Sequence, residues 1–327
     1  MVSPMARDAL ARIDRDPARS YTLPGRYYHD PEIYARELTA ILYRSWLYAG
    51  HVCQLSGPAD ALSREIGERE IVVTRGADGD LIGVEDAGDG QRPVRVEAFL
   101  GFVFFNFDPD AVPLSRQTGG MAREFRSFCA APEALRLAYR KTYHVAANWK
   151  TVMENYAECY HCPIGHPSLS RQALDMTNYR IELHDAYHHH NCGDQGDRQG
   201  YRHEPGASPR GDEFGSWAVF PTVAFEFYPG GKLTVFHNRP VAPERTVQTI
   251  EWYLEGATPT EAEREVIDFV DVVRREDFPL VENVQKGLRS RGYRQGRFIV
   301  DDERSYISEH AVHDLQLKVL RALGEID

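Results

Sequence analysis

No run of apolar residues approaches the ~18 that a membrane-spanning helix needs, and the first twelve residues hold no apolar core of a secretory signal. The longest apolar run, residues 100–107, is broken by Asn106 and reads as a buried strand. Cysteine is scarce and odd in number, five in 327 residues, which argues against a disulfide framework and for a reducing, cytoplasmic setting. Positive charge is in deficit: 38 Lys and Arg against 49 Asp and Glu give a net charge of −11. Nucleic acid and anionic membrane are thereby excluded as main partners, since both need a cationic excess. Internal repeats and low-complexity tracts are absent. At 42% hydrophobic and 27% charged, the composition excludes a disordered or fibrous chain. Residues 54–127 contain neither cysteine nor histidine.

Patterning divides the chain. Asp30-Pro31 has the form of an N-cap and first helical residue, and Ile33, Leu38, Ile41, Leu42 and Trp46 predict a helix over 32–49. From 51 to 107 the period shifts towards two. Ile71-Val72-Val73 is a strand, Ala77-Asp78-Gly79 a turn, and Leu81-Ile82-Gly83-Val84 the return, with two more short strands around Gly101. Beyond Asp108-Pro109, the sequence predicts a helix over 148–160 ended by Pro163 and Gly165, and a strand over 179–187. Residues 218–228 and 232–241 alternate around Pro229-Gly230-Gly231, and 248–254 is a further strand. A long helix opens at Thr258 and runs to Leu288, interrupted at Pro279. Antiparallel strands followed by a long helix predict an α+β domain whose helix crosses a curved sheet.

The chemistry concentrates in residues 148–167. Glu158 and His161 are i,i+3, the spacing of one helical face. A turn through Gly165 brings His166 back towards His161, so that two imidazoles can meet one metal ion. Two His and one remote carboxylate make the facial triad of mononuclear non-haem iron. Asp277 is the best remote carboxylate. Glu276 points about 100° away on the helix, and Glu282 lies beyond Pro279. Spacing alone fits a pair of surface histidines equally well.

Asn148-Trp149-Lys150, Glu154-Asn155-Tyr156, Glu158-Cys159-Tyr160-His161 and His166-Pro167 resemble the iron-binding motif of Rieske non-haem iron oxygenase α-subunits, in particular the branch of choline and glycine-betaine monooxygenases. Arg44-Ser45-Trp46-Leu47-Tyr48-Ala49-Gly50-His51, Gly101-Phe102-Val103-Phe104-Phe105-Asn106-Phe107, Arg275-Glu276-Asp277 and Ser308-Glu309-His310 extend the resemblance over nearly the whole chain. It implies a helix-grip catalytic domain with an antiparallel sheet and a long C-terminal helix, joined to an all-β Rieske domain. The corresponding division is 1–50 (N-terminal helical segment), 51–110 (β-module) and 111–327 (iron domain). It also implies Fe(II) on His161, His166 and Asp277, O2 as co-substrate, and a homotrimer. A small amine, quaternary ammonium compound or aromatic acid would be the substrate. Glu158 falls at the acid that, in the family, bridges to a neighbouring subunit's cluster.

One departure is decisive. A Rieske [2Fe–2S] centre needs two thiolates and two imidazoles, and residues 54–127 supply none. The β-module is thus expected to be a truncated remnant without a cluster. Electrons for O2 would come from the substrate or an external donor, leaving Glu158 to orient His161 or move a proton. The alternative is a non-catalytic partner subunit of a full-length oxygenase. Cys159 and Cys162 are expected to be buried thiols, and His188-His189-His190 to belong to a solvated, lid-like loop running into Gln195 and Gly196. Phe220, Phe225, Phe227 and Phe236 form either an aromatic cage or ordinary sheet core. Phe225, Phe227 and His237 are the candidate substrate-binding residues.

Overall fold

Two antiparallel sheets organise the protein, whose computed structural model describes residues 10–88, 90–194, 200–203 and 206–327. The first contains β1 (Leu47–His51), β2 (Ala61–Ile66), β3 (Arg69–Arg75), β4 (Leu81–Asp86), β5 (Gln91–Phe99) and β6 (Phe102–Asn106). Their order is β1-β6-β5-β4-β3-β2, so consecutive hairpins make most of the sheet. At the β5–β6 turn Gly101 has φ +84°, and a Cβ there would fall 2.4 Å from His51 Nε2. Only glycine fits such a turn without strain.

The second sheet contains β7 (Arg136–Val145), β8 (Arg180–Leu183), β9 (Tyr187–Asp194), β10 (Glu213–Val219), β11 (Val223–Tyr228), β12 (Lys232–Ala242) and β13 (Arg245–Leu254). Its order is β7-β13-β12-β11-β10-β9-β8. The helices are α1 (Pro31–Ala40), α2 (Leu114–Gln117), α3 (Met121–Phe128), α4 (Trp149–Tyr156), α5 (Cys162–Gly165), α6 (Glu261–Leu288) and α7 (His310–Ala322). One sheet face packs Ala224, Tyr228, Phe236 and Trp252 against Val266, Ile267, Val270 and Val273 of α6. The other packs Phe225, Phe227, Val235 and Tyr253 against Phe125, Phe128 and the first sheet's Tyr48, Phe102 and Phe104. The middle of this sheet is therefore covered on both sides, which is why β10, β11 and most of β12 are buried without polar alternation. The expected α+β class, with its antiparallel sheet and long crossing helix, holds.

Several boundaries differ from expectation. The helix predicted over 32–49 ends at Ala40, because Leu47–His51 is buried on both sides and pairs with β6. The long helix is capped by Thr260, in a capping box with Glu263, not by Thr258, and it continues through Pro279. One missing backbone donor does not end a helix of 28 residues held along its length by packing. The 179–187 strand is two strands, β8 and the start of β9. The lid-like loop is incorrect: His188, His189 and His190 are all at most 3% exposed in the interior of β9, while Gln195 and Gly196 lie outside the described residues.

The N-terminal segment is stitched to the rest of the chain by a buried ion pair. Lys150 Nζ lies 2.6 Å from Glu37 Oε1, both side chains fully buried, and Trp149 Nε1 donates to Glu37 Oε2 at 2.9 Å. No described helix is long and apolar enough to cross a membrane.

Candidate metal centre

Asn148 caps α4, its side chain accepting the Lys150 N–H, and the helix stops at Tyr156. Glu158 and His161 therefore do not share a helical face as the spacing predicted. A turn joins them instead. Glu158 Oε2 accepts the His161 backbone N–H at 3.2 Å, and its Oε1 sits 2.5 Å from His161 Nδ1. Pro163 starts the single turn of α5, which the His166 N–H closes onto the Cys162 carbonyl. A Cβ on Gly165 would stand 3.0 Å from Leu280 of α6, so the absence of a side chain there lets the turn approach the helix that carries Asp277.

Three donor atoms converge. His161 Nε2 and His166 Nε2 are 3.1 Å apart, His166 Nε2 and Asp277 Oδ1 2.9 Å, and His161 Nε2 and Asp277 Oδ1 3.3 Å. Bonds of about 2.1 Å at right angles would place donors about 3.0 Å apart, and tetrahedral angles about 3.4 Å. Two of the three edges fit one face of an octahedron and the third lies between, so the donor set suits a divalent metal that keeps open positions. Among the described residues this is the one cluster of three such side chains. Each ligand is also held from behind: His161 by Glu158, His166 Nδ1 by Glu276 Oε2 at 3.0 Å, and Asp277 Oδ2 by Arg274 Nη1 at 2.9 Å. Such outer contacts fix ring orientation and strengthen ligation.

The electrostatics suit a cation. Burial disfavours a charged His161, but the carboxylates of Asp277 and Glu158 outweigh it and push the imidazole up to about 9. Burial likewise disfavours ionised Asp277, yet Arg274 and the two imidazoles hold it well below the usual carboxylate range. A metal must displace the His161 proton at any pH below about 9. Apparent metal affinity should accordingly rise about tenfold per pH unit from neutrality and level off near pH 9. Metal titration over a pH series measures this, and a pH-independent affinity would contradict it.

Beside the ligands lies a cavity walled by Tyr156, Tyr179, Phe214, Tyr228 and Phe236, with Glu226 set among them. Burial raises the Glu226 carboxyl, while Arg274 opposes that shift; Tyr228 donates to it at 3.0 Å. Arg274 stacks over Phe236 at 4.7 Å, and its Nε has no hydrogen-bond partner.

Of the sequence candidates, the structure brings Glu158, His161, His166 and Asp277 together. It places Phe225 and Phe227 elsewhere. On β11, residues 224, 226 and 228 face the cavity, whereas Phe225 and Phe227 belong to the opposite core. His237 packs edge-on to Tyr48 and lines a cleft with Arg64, Arg140 and Arg239, away from the metal ligands. Of the proposed cage, Phe236 alone lines the cavity. The histidine run does not converge on a metal: His188 pairs with Asp314 at 2.7 Å, His189 stacks on Trp217, and His190 meets the Tyr179 hydroxyl at 2.8 Å. Cys159 and Cys162 are not thiols but a disulfide, because the turn between α4 and α5 folds their side chains together. Glu282, the rival ligand, accepts the Ala146 N–H at 3.0 Å. Sequence reasoning missed Arg274, Glu226 and the role of Glu276. Arg274 could have been found by its i,i+3 spacing to Asp277.

The chain matches the profile of the ring hydroxylating alpha subunit catalytic domain over residues 132–325. The carnitine monooxygenase oxygenase subunit of Escherichia coli K12 is 30% identical over 361 aligned positions, covering 94% of this chain and 96% of that protein. The chloroplastic choline monooxygenase of Amaranthus tricolor is 24% identical, covering 87% and 75%. A solved quaternary ammonium Rieske monooxygenase in complex with L-carnitine superposes with a TM-score of 0.82 at 28% identity, covering 98% of this chain and 99% of that one. Naphthalene 1,2-dioxygenase from Rhodococcus shares the fold, with a TM-score of 0.75 at 14% identity and full coverage of both chains.

Proposed function

This chain belongs to the ring-hydroxylating α-subunit family of oxygenases, and on that premise we propose that it is a mononuclear Fe(II), O2-dependent oxygenase of small quaternary ammonium compounds, working without a Rieske cluster of its own. The observation that carries the proposal is the triangle of His161, His166 and Asp277 donors opening onto an aromatic cavity with a buried carboxylate. When bound, iron supplies the O2 chemistry. The protein's own residues do the rest. Tyr228 offers a ring face to a methylated ammonium, an attraction worth about 2 kcal/mol when desolvated, and Glu226 adds negative charge at the same place. The partnerless Nε of Arg274 is a donor for a carboxylate on the same substrate, as carnitine carries. Glu158 holds the His161 Nδ1 proton, which fixes Nε2 as the ligating atom.

Support for the missing cluster comes from composition. Residues 54–127 lack both ligand types, and the alignment with the E. coli relative is longer than this whole chain. Electrons beyond the two a substrate C–H bond provides must then come from further substrate oxidation or an external donor.

Anaerobic loading should give one Fe(II) per chain and no acid-labile sulfide. O2 uptake should follow on adding L-carnitine, γ-butyrobetaine or choline, assayed with and without reductant. Two sulfides per chain would refute the cluster-free assignment, and no substrate-dependent uptake would refute the oxygenase one. Glu158→Gln should retain iron and lower turnover about 10–100-fold, as for other outer-contact losses. Loss of the metal in that variant would make Glu158 a ligand.

A further inference from the structure

Cys159 and Cys162 bracket the ligand His161 in the chain and are joined to each other. Both line the metal cavity, both are at most 5% exposed, and Cys162 Sγ lies 4.0 Å from His161 Nε2. The same turn nevertheless reaches the surface: its Tyr160 is half-exposed, and Ile164, two residues past the pair, is 88% exposed. The bond therefore lies just beneath an exposed turn. We infer that the Cys159/Cys162 pair is the protein's own two-electron store for the O2 reaction, cycling between dithiol and disulfide beside the metal. The inference rests on the oxygenase reading above.

The balance closes. Hydroxylating one C–H bond with O2 takes two electrons from the substrate and needs two more, with two protons, to turn the second oxygen atom into water. Two thiols passing to one disulfide release two electrons and two protons. Substrate, O2 and the dithiol thus give hydroxylated substrate, water and the disulfide. An external dithiol restores the pair by thiol–disulfide exchange and is itself oxidised. The disulfide in the structure is the spent state of this cycle.

The test uses the full chain, reduced with dithiothreitol, freed of it, loaded anaerobically with Fe(II) and mixed with L-carnitine, γ-butyrobetaine or choline. After one pulse of O2, the protein is quenched and alkylated, and the peptides are weighed. The expected result is one Cys159–Cys162 disulfide formed per product molecule, with Cys53, Cys129 and Cys192 still alkylated. The Cys159→Ser/Cys162→Ser variant should keep one iron per chain and lose O2-driven product by roughly tenfold or more. Hydrogen peroxide, which brings one oxygen atom and both missing electrons, should restore product in that variant. O2-driven product with the pair still alkylatable would overturn the inference and leave the oxygenase reading standing. So would product from peroxide but none from O2 in the reduced wild type. No product from any of the three compounds with either oxidant would overturn the oxygenase reading, and the inference with it. If the variant lost its iron, the thiol count in the wild type would still decide.

Discussion

Asp277→Ala should empty the metal site. The substitution removes one of three protein donors and, with it, the only negative charge in direct contact with both imidazoles. The Arg274 guanidinium, 8% exposed, would lose its 2.9 Å contact with Asp277 and be left as a buried cation facing the place a divalent ion must enter. Removing an outer contact alone typically costs 10–100-fold in metal affinity, so losing a ligand and unmasking a cation together should cost well over about 100-fold. Metal content after dialysis and a direct Fe(II) titration measure it. His161→Ala and His166→Ala should fall in the same range, and iron retained at one per chain in all three would refute the assignment. Asp277→Asn keeps the shape and one oxygen donor but removes the charge and one acceptor, so it tests how far the charge itself holds the metal.

Glu37→Leu is the second large effect, and it concerns folding. It strips the Lys150 ammonium, fully buried, of its counter-charge and leaves it only Asn148 Oδ1 at 2.8 Å. The Trp149 indole N–H loses its acceptor as well. Breaking one side of a buried pair costs about 3–5 kcal/mol, because the remaining charge stays buried. Urea unfolding followed by tryptophan fluorescence would read the loss. Replacing both partners, Glu37→Leu with Lys150→Met, should recover most of it, since no lone charge remains. A double variant no better than the single one would show that the indole contact, not the charge, dominates.

The ligands were legible in the sequence for a local reason. His161 and His166 sit five residues apart across a proline and a glycine, a spacing that lets one turn bring them together. Asp277 was picked from its rivals by helix phase and its place before Pro279, and the resemblance then paired it with the histidines, because a contact between residues 111 apart leaves no periodicity to read. The aromatic wall was misplaced by one residue. All six residues of β11 are buried, as α6 covers one face and the first sheet the other, so hydrophobicity carries no information on which phase faces the metal. The same cause hid β1, whose five residues are all buried. The histidine run looked like a loop because its partners, Asp314, Trp217 and Tyr179, come from elsewhere in the chain. Glu276 was set aside because it points about 100° from Asp277 on the helix, yet His166 presents Nε2 to Asp277 and Nδ1 to Glu276 and so meets both.

The first sheet runs from β3 to β6 as one unbroken ladder of hairpins. Between β4 and β5 the Ala87 N–H donates to the Gly90 carbonyl, and Gly88 and Gly90 are exposed. Turns of this kind tolerate inserted and deleted chain better than any other place in a domain. Strands on either side keep their register whatever length the connection has. A gain or loss of chain there is thus a change in loop length that leaves the second sheet and its packing untouched.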